Sequence, residues 1–496
     1  RPQKPEPVET PPPAEPAKAE PPPPVAPPPP APTPVASAPP APADPLGPKP
    51  DVAPPAPFTP PVAIEYKRAN GLTVWLLERH ALPIISMEVV LGAGASDDPA
   101  AKAGLAQQTA NMLDEGAGTR GALELARDVD RLGATIHTGV YADYGFAQLT
   151  TLKKNLSAAA TIFGDVLGKP TFSPVEWKRV HDLWTNDLKQ RASEPAMVAG
   201  VVVARKLFGE GHPYAMPNDG TTKTAANVSL DDLKKFYADR WRPSRATCVV
   251  VGDVTRAELD AVLDSAFAGW KDGNATAGWS KSGKAPSKTR RIVVVDRADA
   301  PQSVIAVARQ GVAASSPDAP ALVRVNAALG GSFTSRLNQD LREEHGWSYG
   351  AKSRFSFNEF PGVFVAQAAV QTAHTGEALK AMLADLETYA KDGPTDAEVE
   401  KTRLLARGDL VEAYETVDAT AHRLARYAGV GLAADQDATA AAKTSAATKA
   451  DLAALAKKYV DPSNALVVIV GPRAKIAPQL EAIGMGSFET SGPEGE

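Results

Sequence analysis

At 496 residues the chain has room for two to four domains of ordinary size. Its net charge is −5, its pI is near 5.9, and it contains no long Lys/Arg run, which argues against a nucleic-acid-binding protein. A single cysteine, Cys248, excludes an intramolecular disulfide and any Cys-based zinc or iron–sulfur centre; in the apolar run Thr247–Val251 it reads as a small buried hydrophobe.

Residues 1–61 hold 28 of the 46 prolines, with Ala, Glu and Lys between them. Such a segment lacks the apolar side chains for a core and is expected to be disordered and extended, reaching up to ~190 Å at ~3.1 Å per residue. It reads either as a tether between an anchor and a folded body or as a tail of no consequence. The first residue is Arg1, and no run of 18 apolar residues occurs. We therefore expect a removed signal peptide, no transmembrane segment, and an exported chain that is periplasmic or envelope-associated. A lipid anchor would fit the same facts, although nothing in the sequence displays one.

The folded body is expected from Val62. Alternation in Leu72–Leu77 and Ile84–Val90 predicts two strands, punctuated by Gly71 and Pro83. Helical periodicity follows at 101–114, 122–132, 155–168, 174–192 and 229–240, and a Val-rich strand at 246–252 closes the half. The plan then repeats. Asp232, Leu233, Pro243, Ser244, Ala246, Val249, Val251 and Gly252 recur 219 positions later as Asp451, Leu452, Pro462, Ser463, Ala465, Val468, Val470 and Gly471. A period this long indicates domain duplication. The expected architecture is α+β: a first domain at 62–270, a linker at 271–289, a second domain at 290–480 and a flexible tail at 481–496. Each domain should be a mainly antiparallel sheet covered by helices.

Signals of chemistry are sparse. No two of the seven histidines lie within four residues of each other, so the i, i+4 pair of a helical zinc site is absent. Distant histidines could still converge in space. There is no Gly-x-Ser-x-Gly elbow, and Gly330-Gly331-Ser332 lacks the Gly-Lys-Ser/Thr of a phosphate loop. The informative stretch is Gly104–Leu113. Within it Gln107, Ala110 and Asn111 fall at i, i+3 and i+4 and share a helix face.

Here the sequence resembles the M16 (pitrilysin or insulinase-like) metallopeptidases, whose inverted His-x-x-Glu-His motif sits between Gly-x-Ala and Met-Leu. Gly104, Ala106, Met112 and Leu113 match those flanks. Gln107 and Asn111 stand at the positions of the two zinc-binding histidines, and Ala110 at that of the general-base glutamate. The family's third ligand, a glutamate further along the chain, falls close to Asp187. Neutral amides are poor zinc ligands and alanine cannot activate water. This degenerate face is either polar packing or a retained substrate-facing surface.

The resemblance spans roughly residues 64–475. It includes His212-Pro213-Tyr214, and then Leu329–Leu337 followed by Leu341–Tyr349. In the family, an Arg–Tyr pair seven residues apart binds substrate backbone near the scissile bond; Arg342 and Tyr349 match it. Arg342 is expected near a helix end stopped by Gly346, with Tyr349 opening a strand over Tyr349–Phe357. The competing reading pairs Arg342 with Glu343 or Glu344 and leaves Tyr349 as an ordinary strand residue.

The resemblance thus implies a subunit that lacks the metal but keeps the substrate-orienting pair. It would bind no cofactor itself, would face a homologous zinc-bearing subunit across a clamshell chamber, and would position an unstructured peptide. The rival reading is a scaffold or peptide-binding protein of the same fold with no peptidase partner. A third is a self-sufficient enzyme with a relocated metal site.

Overall fold

A computed structural model describes Ala56, residues 58–272 and residues 289–496. Most of the tether expected over 1–61 and of the linker expected over 271–289 lies outside the described residues.

Two six-stranded sheets organise the body. The first contains β1 (Ile64–Lys67), β2 (Thr73–Glu78), β3 (Ile84–Leu91), β4 (Thr135–Val140), β5 (Gly145–Leu152) and β6 (Ala246–Gly252), in spatial order β1-β2-β6-β3-β5-β4. The second contains β7 (Arg291–Asp296), β8 (Gln302–Gln310), β9 (Ser348–Phe357), β10 (Pro361–Gln371), β11 (Leu466–Gly471) and β12 (Glu489–Thr490), in order β9-β10-β8-β11-β7-β12. Read in reverse, the second order matches the first strand for strand from β2/β7 onward. Both sheets share an equivalent parallel pair, β2 with β6 and β7 with β11, next to an antiparallel ladder. The outermost strands differ: β1 joins β2 antiparallel, whereas β12 joins β7 in parallel. Residues 481–496, read from sequence as a flexible tail, therefore carry a strand. It is two residues long and polar, too short for a periodic signal, and Glu489 anchors it by accepting from Arg291 Nε and Nη2 at 2.9 and 3.0 Å.

In the first half the helices are α1 (Leu105–Asn111), α2 (Ala122–Arg131), α3 (Leu156–Gly168), α4 (Pro174–Arg191), α5 (Pro195–Phe208), α6 (Leu230–Arg240) and α7 (Arg256–Ala266). The second half has α8 (Ala319–Leu329), α9 (Thr375–Asp392), α10 (Asp396–Glu412), α11 (Val417–Gly429), α12 (Gln436–Ala446), α13 (Lys449–Tyr459) and α14 (Arg473–Ala482). The duplicated sequence gives duplicated local structure. Ser229 with Asp232 and Thr448 with Asp451 each form a capping box, at the starts of α6 and α13. Each helix then runs through a Pro-Ser turn into β6 or β11.

The central strands are buried on both faces: every residue of β11, and all of β3 except Ile84, is buried. One face of the first sheet, with Met87, Val89 and Val250, is covered by helices of its own half, among them Phe163 of α3. The other face is covered by a helix from the opposite half. Ala421, Leu424 and Ala425 of α11 pack on Trp75, Val249 and Val251. Reciprocally, Val198, Ala199, Val202 and Val203 of α5 pack on Val293, Val304 and Val468 of the second sheet. The 219-residue offset brings α5 onto α11, so the two halves exchange equivalent helices.

One polar contact sits in this exchanged layer. Glu88, fully buried on β3, lies 3.4 Å from Nδ1 of His422 on α11, and the Tyr141 hydroxyl lies 3.4 Å from its Nε2. The Glu88 carboxylate holds the His422 pKa above its ordinary value, against burial and the nearby Arg426 charge. A raised imidazole pKa stabilises the fold below the unfolded value of about 6.5 and loses that contribution as pH rises through the folded value. Wild type should therefore lose stability relative to His422→Gln between pH 5.5 and 8.5. The half-exposed ring limits the change to about 1 kcal/mol or less. Urea midpoints of both proteins at the two pH values measure it, and an equal difference at both would refute it.

Candidate functional site

The face expected from Gln107, Ala110 and Asn111 lies on α1. Periodicity alone suggests a helix from residue 101; the α-helix begins at Leu105 because Gly104 takes φ of 99°, a left-handed conformation. The Asp98 carboxylate accepts from the N–H groups of Gly104 and Ala106, both at 2.8 Å, and so satisfies donors at the helix start. Any Cβ at Gly104 would come within 2.5 Å of the Trp184 ring, which is how closely α4 approaches.

Gln107 and Asn111 are half-buried and Ala110 is fully buried. Gln107 Nε2 donates to Asn111 Oδ1 at 2.7 Å, and Asn111 Nδ2 donates to Gln108 Oε1 at 3.3 Å. The amide chain thus runs along the helix from Gln107 through Asn111 to Gln108. The Ala110 carbonyl accepts from the Thr138 hydroxyl at 2.9 Å, which ties α1 to β4, the outermost strand of the first sheet. Asp187 sits on α4 with its side chain exposed, while its neighbours Trp184 and Leu188 turn inward.

These residues do not fit a zinc ion. The face offers neutral amide oxygens, one of them already engaged, and a methyl group where a general base would be needed, whereas zinc takes imidazole, thiolate or carboxylate donors. Among the described residues no group of three or more His, Cys, Asp or Glu side chains could hold a metal.

Two carboxylates escaped the sequence reading. Asp114 and Glu115 follow α1 directly; Glu115 pairs with Arg179 of α4. Burial, reinforced by Glu115, pushes the Asp114 pKa up to about 6, against the charges of His137 and Arg179. Their position just after Met112-Leu113 is visible in the sequence, but the burial that perturbs Asp114 is tertiary.

In the second half, Gly330–Ser335 loops toward a tight helical segment in which residues 339–344 form one π-turn. His345 N–H donates to Asp340 O, and Gly346 ends the turn with φ of 66°. The strand after it, β9, starts at Ser348, one residue earlier than expected. Arg342 lies in the π-turn. Its Nε is 3.3 Å from the Glu343 carboxylate, and its guanidinium stacks over Phe333 at 4.6 Å from the ring centroid. The competing pairing with Glu343 is therefore present, though Arg342 remains partly exposed. Tyr349 is 91% exposed and Phe333 70% exposed, a pair of solvent-facing aromatic rings flanking the turn in sequence. Phe333 was not singled out from sequence; its exposure is the signal, and exposure is not legible there.

Beneath this turn lies a second perturbed pair. Asp385 of α9 contacts Asp340 of the π-turn, and His345 Nε2 sits 3.2 Å from Asp340 Oδ1. His345 stacks on Trp347 at 3.9 Å, and Trp347 in turn stacks on His374. These contacts brace the segment that carries Arg342.

The family model for insulinase, peptidase family M16, matches residues 74–208, and that for the peptidase M16 inactive domain matches residues 227–405. An uncharacterised zinc protease of Mycobacterium leprae is 25% identical over 364 residues, covering 72% of this chain and 80% of its own. A Helicobacter pylori protein described as a non-peptidase homolog is 23% identical over 359 residues, with 72% and 81% covered. The crystal structure of a peptidase M16 inactive domain from Pseudomonas fluorescens superposes with a TM-score of 0.77 at 25% identity, covering 83% of this chain and 98% of that one. With two M16 family models matched in succession and a fold shared with an M16 structure, the chain belongs to the M16 (insulinase) peptidase family.

Proposed function

We propose that this chain is the non-catalytic, substrate-positioning subunit of an exported heteromeric zinc peptidase. The observation that carries the reading is a contrast. The α1 face offers amides and a methyl group where the family's ligands and general base would stand, while Arg342 and Tyr349 keep the family spacing, Tyr349 open to solvent and Arg342 partly exposed. On this reading the chain forms half of a clamshell, and a homologous zinc-bearing subunit forms the other half. An extended peptide would add to an open sheet edge, for which β4 beside α1 is suited. Arg342 would donate to a substrate carbonyl or carboxylate and the Tyr349 hydroxyl would fix its direction. The proline-rich segment would hold the complex to the envelope from outside the cytoplasm.

Mixing tests the proposal. Alone, the chain should not cleave unstructured peptides. With its zinc-bearing homologue, cleavage should appear, and Arg342→Ala should lower kcat/KM by about 10²-fold through lost orientation. Tyr349→Phe, which removes one hydrogen bond, should lower it by about tenfold. Full mixed activity in both variants would sink the Arg–Tyr assignment, and stoichiometric zinc in the isolated chain would sink the whole reading. The contact between Arg342 and Glu343 favours a second reading, a peptide-binding scaffold without peptidase activity. It predicts no cleavage with any zinc-bearing homologue.

A further inference from the structure

A cavity of about 270 Å³ lies where α5 of the first half meets the second sheet. Four cationic side chains line it in a chain that is net acidic: Lys206, Arg291, Arg309 and Lys458. Two of them are already committed. Arg291 forks onto Glu489, and Lys458 pairs with Asp318 at 3.0 Å. The other two are open. Arg309 Nη1 is buried with no hydrogen-bond partner, and no ion pair to Arg309 or to the Lys206 ammonium occurs among the described residues. Asp461 attracts Arg309 only at longer range and itself accepts from the Ser463 N–H. The cavity wall also holds Asn464, whose Oδ1 is buried without a partner.

Unpartnered buried polar atoms are rare in native folds and commonly mark a missing water or ion. A water could satisfy one N–H but would leave the guanidinium charge uncompensated. Arginine stays cationic even where burial disfavours its charge, so the cavity presents fixed positive charge and directed donors together. A planar fork beside a flexible ammonium suits a tetrahedral oxyanion, with the guanidinium supplying paired donors and the lysine a mobile point charge. Asn464 can turn either its carbonyl or its NH₂ toward a bound group, meeting a phosphate hydroxyl or an ionised oxygen.

We propose that this cavity is an anion site for a small phosphate-bearing ligand, held by Arg309, Lys206 and Asn464 at the seam between the two halves. It lies on a different part of the molecule from the α1 face and the Arg342 turn and does not depend on the peptidase reading.

The test is calorimetric titration of the full chain at pH 7.5 and constant ionic strength with three probes: inorganic phosphate, pyrophosphate and glycerol phosphate. Saturable binding of at least one probe is expected, weakened tenfold or more by Arg309→Gln and by Lys206→Met. The same probe should raise the thermal unfolding midpoint of wild type and not of the variants. Binding of inorganic phosphate alone assigns a free ion, and comparable binding of glycerol phosphate assigns a phosphate monoester. Should Arg309→Gln fail to fold, Lys206→Met, at a partly exposed position, decides alone. No saturable binding of any probe, or unchanged affinity in the folded variants, overturns the proposal.

Discussion

Replacing Arg324 with methionine is expected to lower the stability of the fold by about 2–3 kcal/mol. Arg324, on α8, is 1% exposed and spends its whole guanidinium on backbone and hydroxyl oxygens of two other helices. Nη1 donates to the carbonyls of Thr444, Ser445 and Ala447 at 2.9, 3.3 and 3.0 Å, which caps the C-terminal end of α12. Nη2 donates to the Val399 carbonyl at 2.7 Å, and Nε reaches the Thr402 hydroxyl at 3.5 Å, both on α10. A cation at a helix C-terminus is favoured by the dipole, and here it also satisfies partly buried carbonyls. Methionine fills much of the volume but leaves those oxygens orphaned. Arg324→Lys should recover little, because one ammonium cannot span both helices with a planar fork. Guanidinium unfolding of the three proteins measures the effect; a loss below about 1 kcal/mol in Arg324→Met would contradict this account.

The opposite sign is expected at Asp385. Burial, together with the charge of Asp340 and against that of Arg336, pushes its pKa up to about 7. Two carboxylates in contact have no donor between them unless one carries a proton, and Asp385 Oδ2 is buried with no partner in the ionised form. Protonated, Asp385 can donate to Asp340, whose other neighbour is His345. The folded pKa lies above the unfolded value of 3.8. The native state therefore binds more protons across the interval from about pH 4 to 7, and stability falls as pH rises through it. Asp385→Asn keeps a donor toward Asp340 and carries no charge. Its advantage over wild type should grow by the order of 2–4 kcal/mol between pH 5 and pH 8. Urea unfolding at both pH values reads this directly, and an equal difference at the two would rule it out. Since Asp340 lies in the π-turn, the same variant also shows whether the seat of Arg342 is charge-sensitive.

What was legible in the sequence follows from which forces are local. The 3.6-residue period put Gln107, Ala110 and Asn111 on one face, and they share α1. The 219-residue recurrence announced two equivalent sheets because capping boxes, Pro-Ser turns and Val-rich strands are written in short stretches. Gly346 marked the end of the Arg342 turn because only glycine takes that φ cheaply. The start of α1 was misjudged since Gly104 is a conformational break inside an apparently continuous pattern. Asp385 could not be foreseen: it meets Asp340 from another helix, and no spacing encodes that meeting. The role of Arg324 likewise has no local signature: only the docking of α10 and α12 makes it a cap.

The exchanged helices have a bearing on how such a chain is made. On the ribosome the first sheet can close over its own helices, but the strip of Trp75, Val249 and Val251 has no cover until residues 417–429 have emerged. For more than 160 residues of synthesis the nascent first half carries an apolar strip in need of shielding. The same geometry suggests an origin. Two copies of a half-length ancestor, each lending one helix to its twin, would have formed a two-fold dimer before the genes fused.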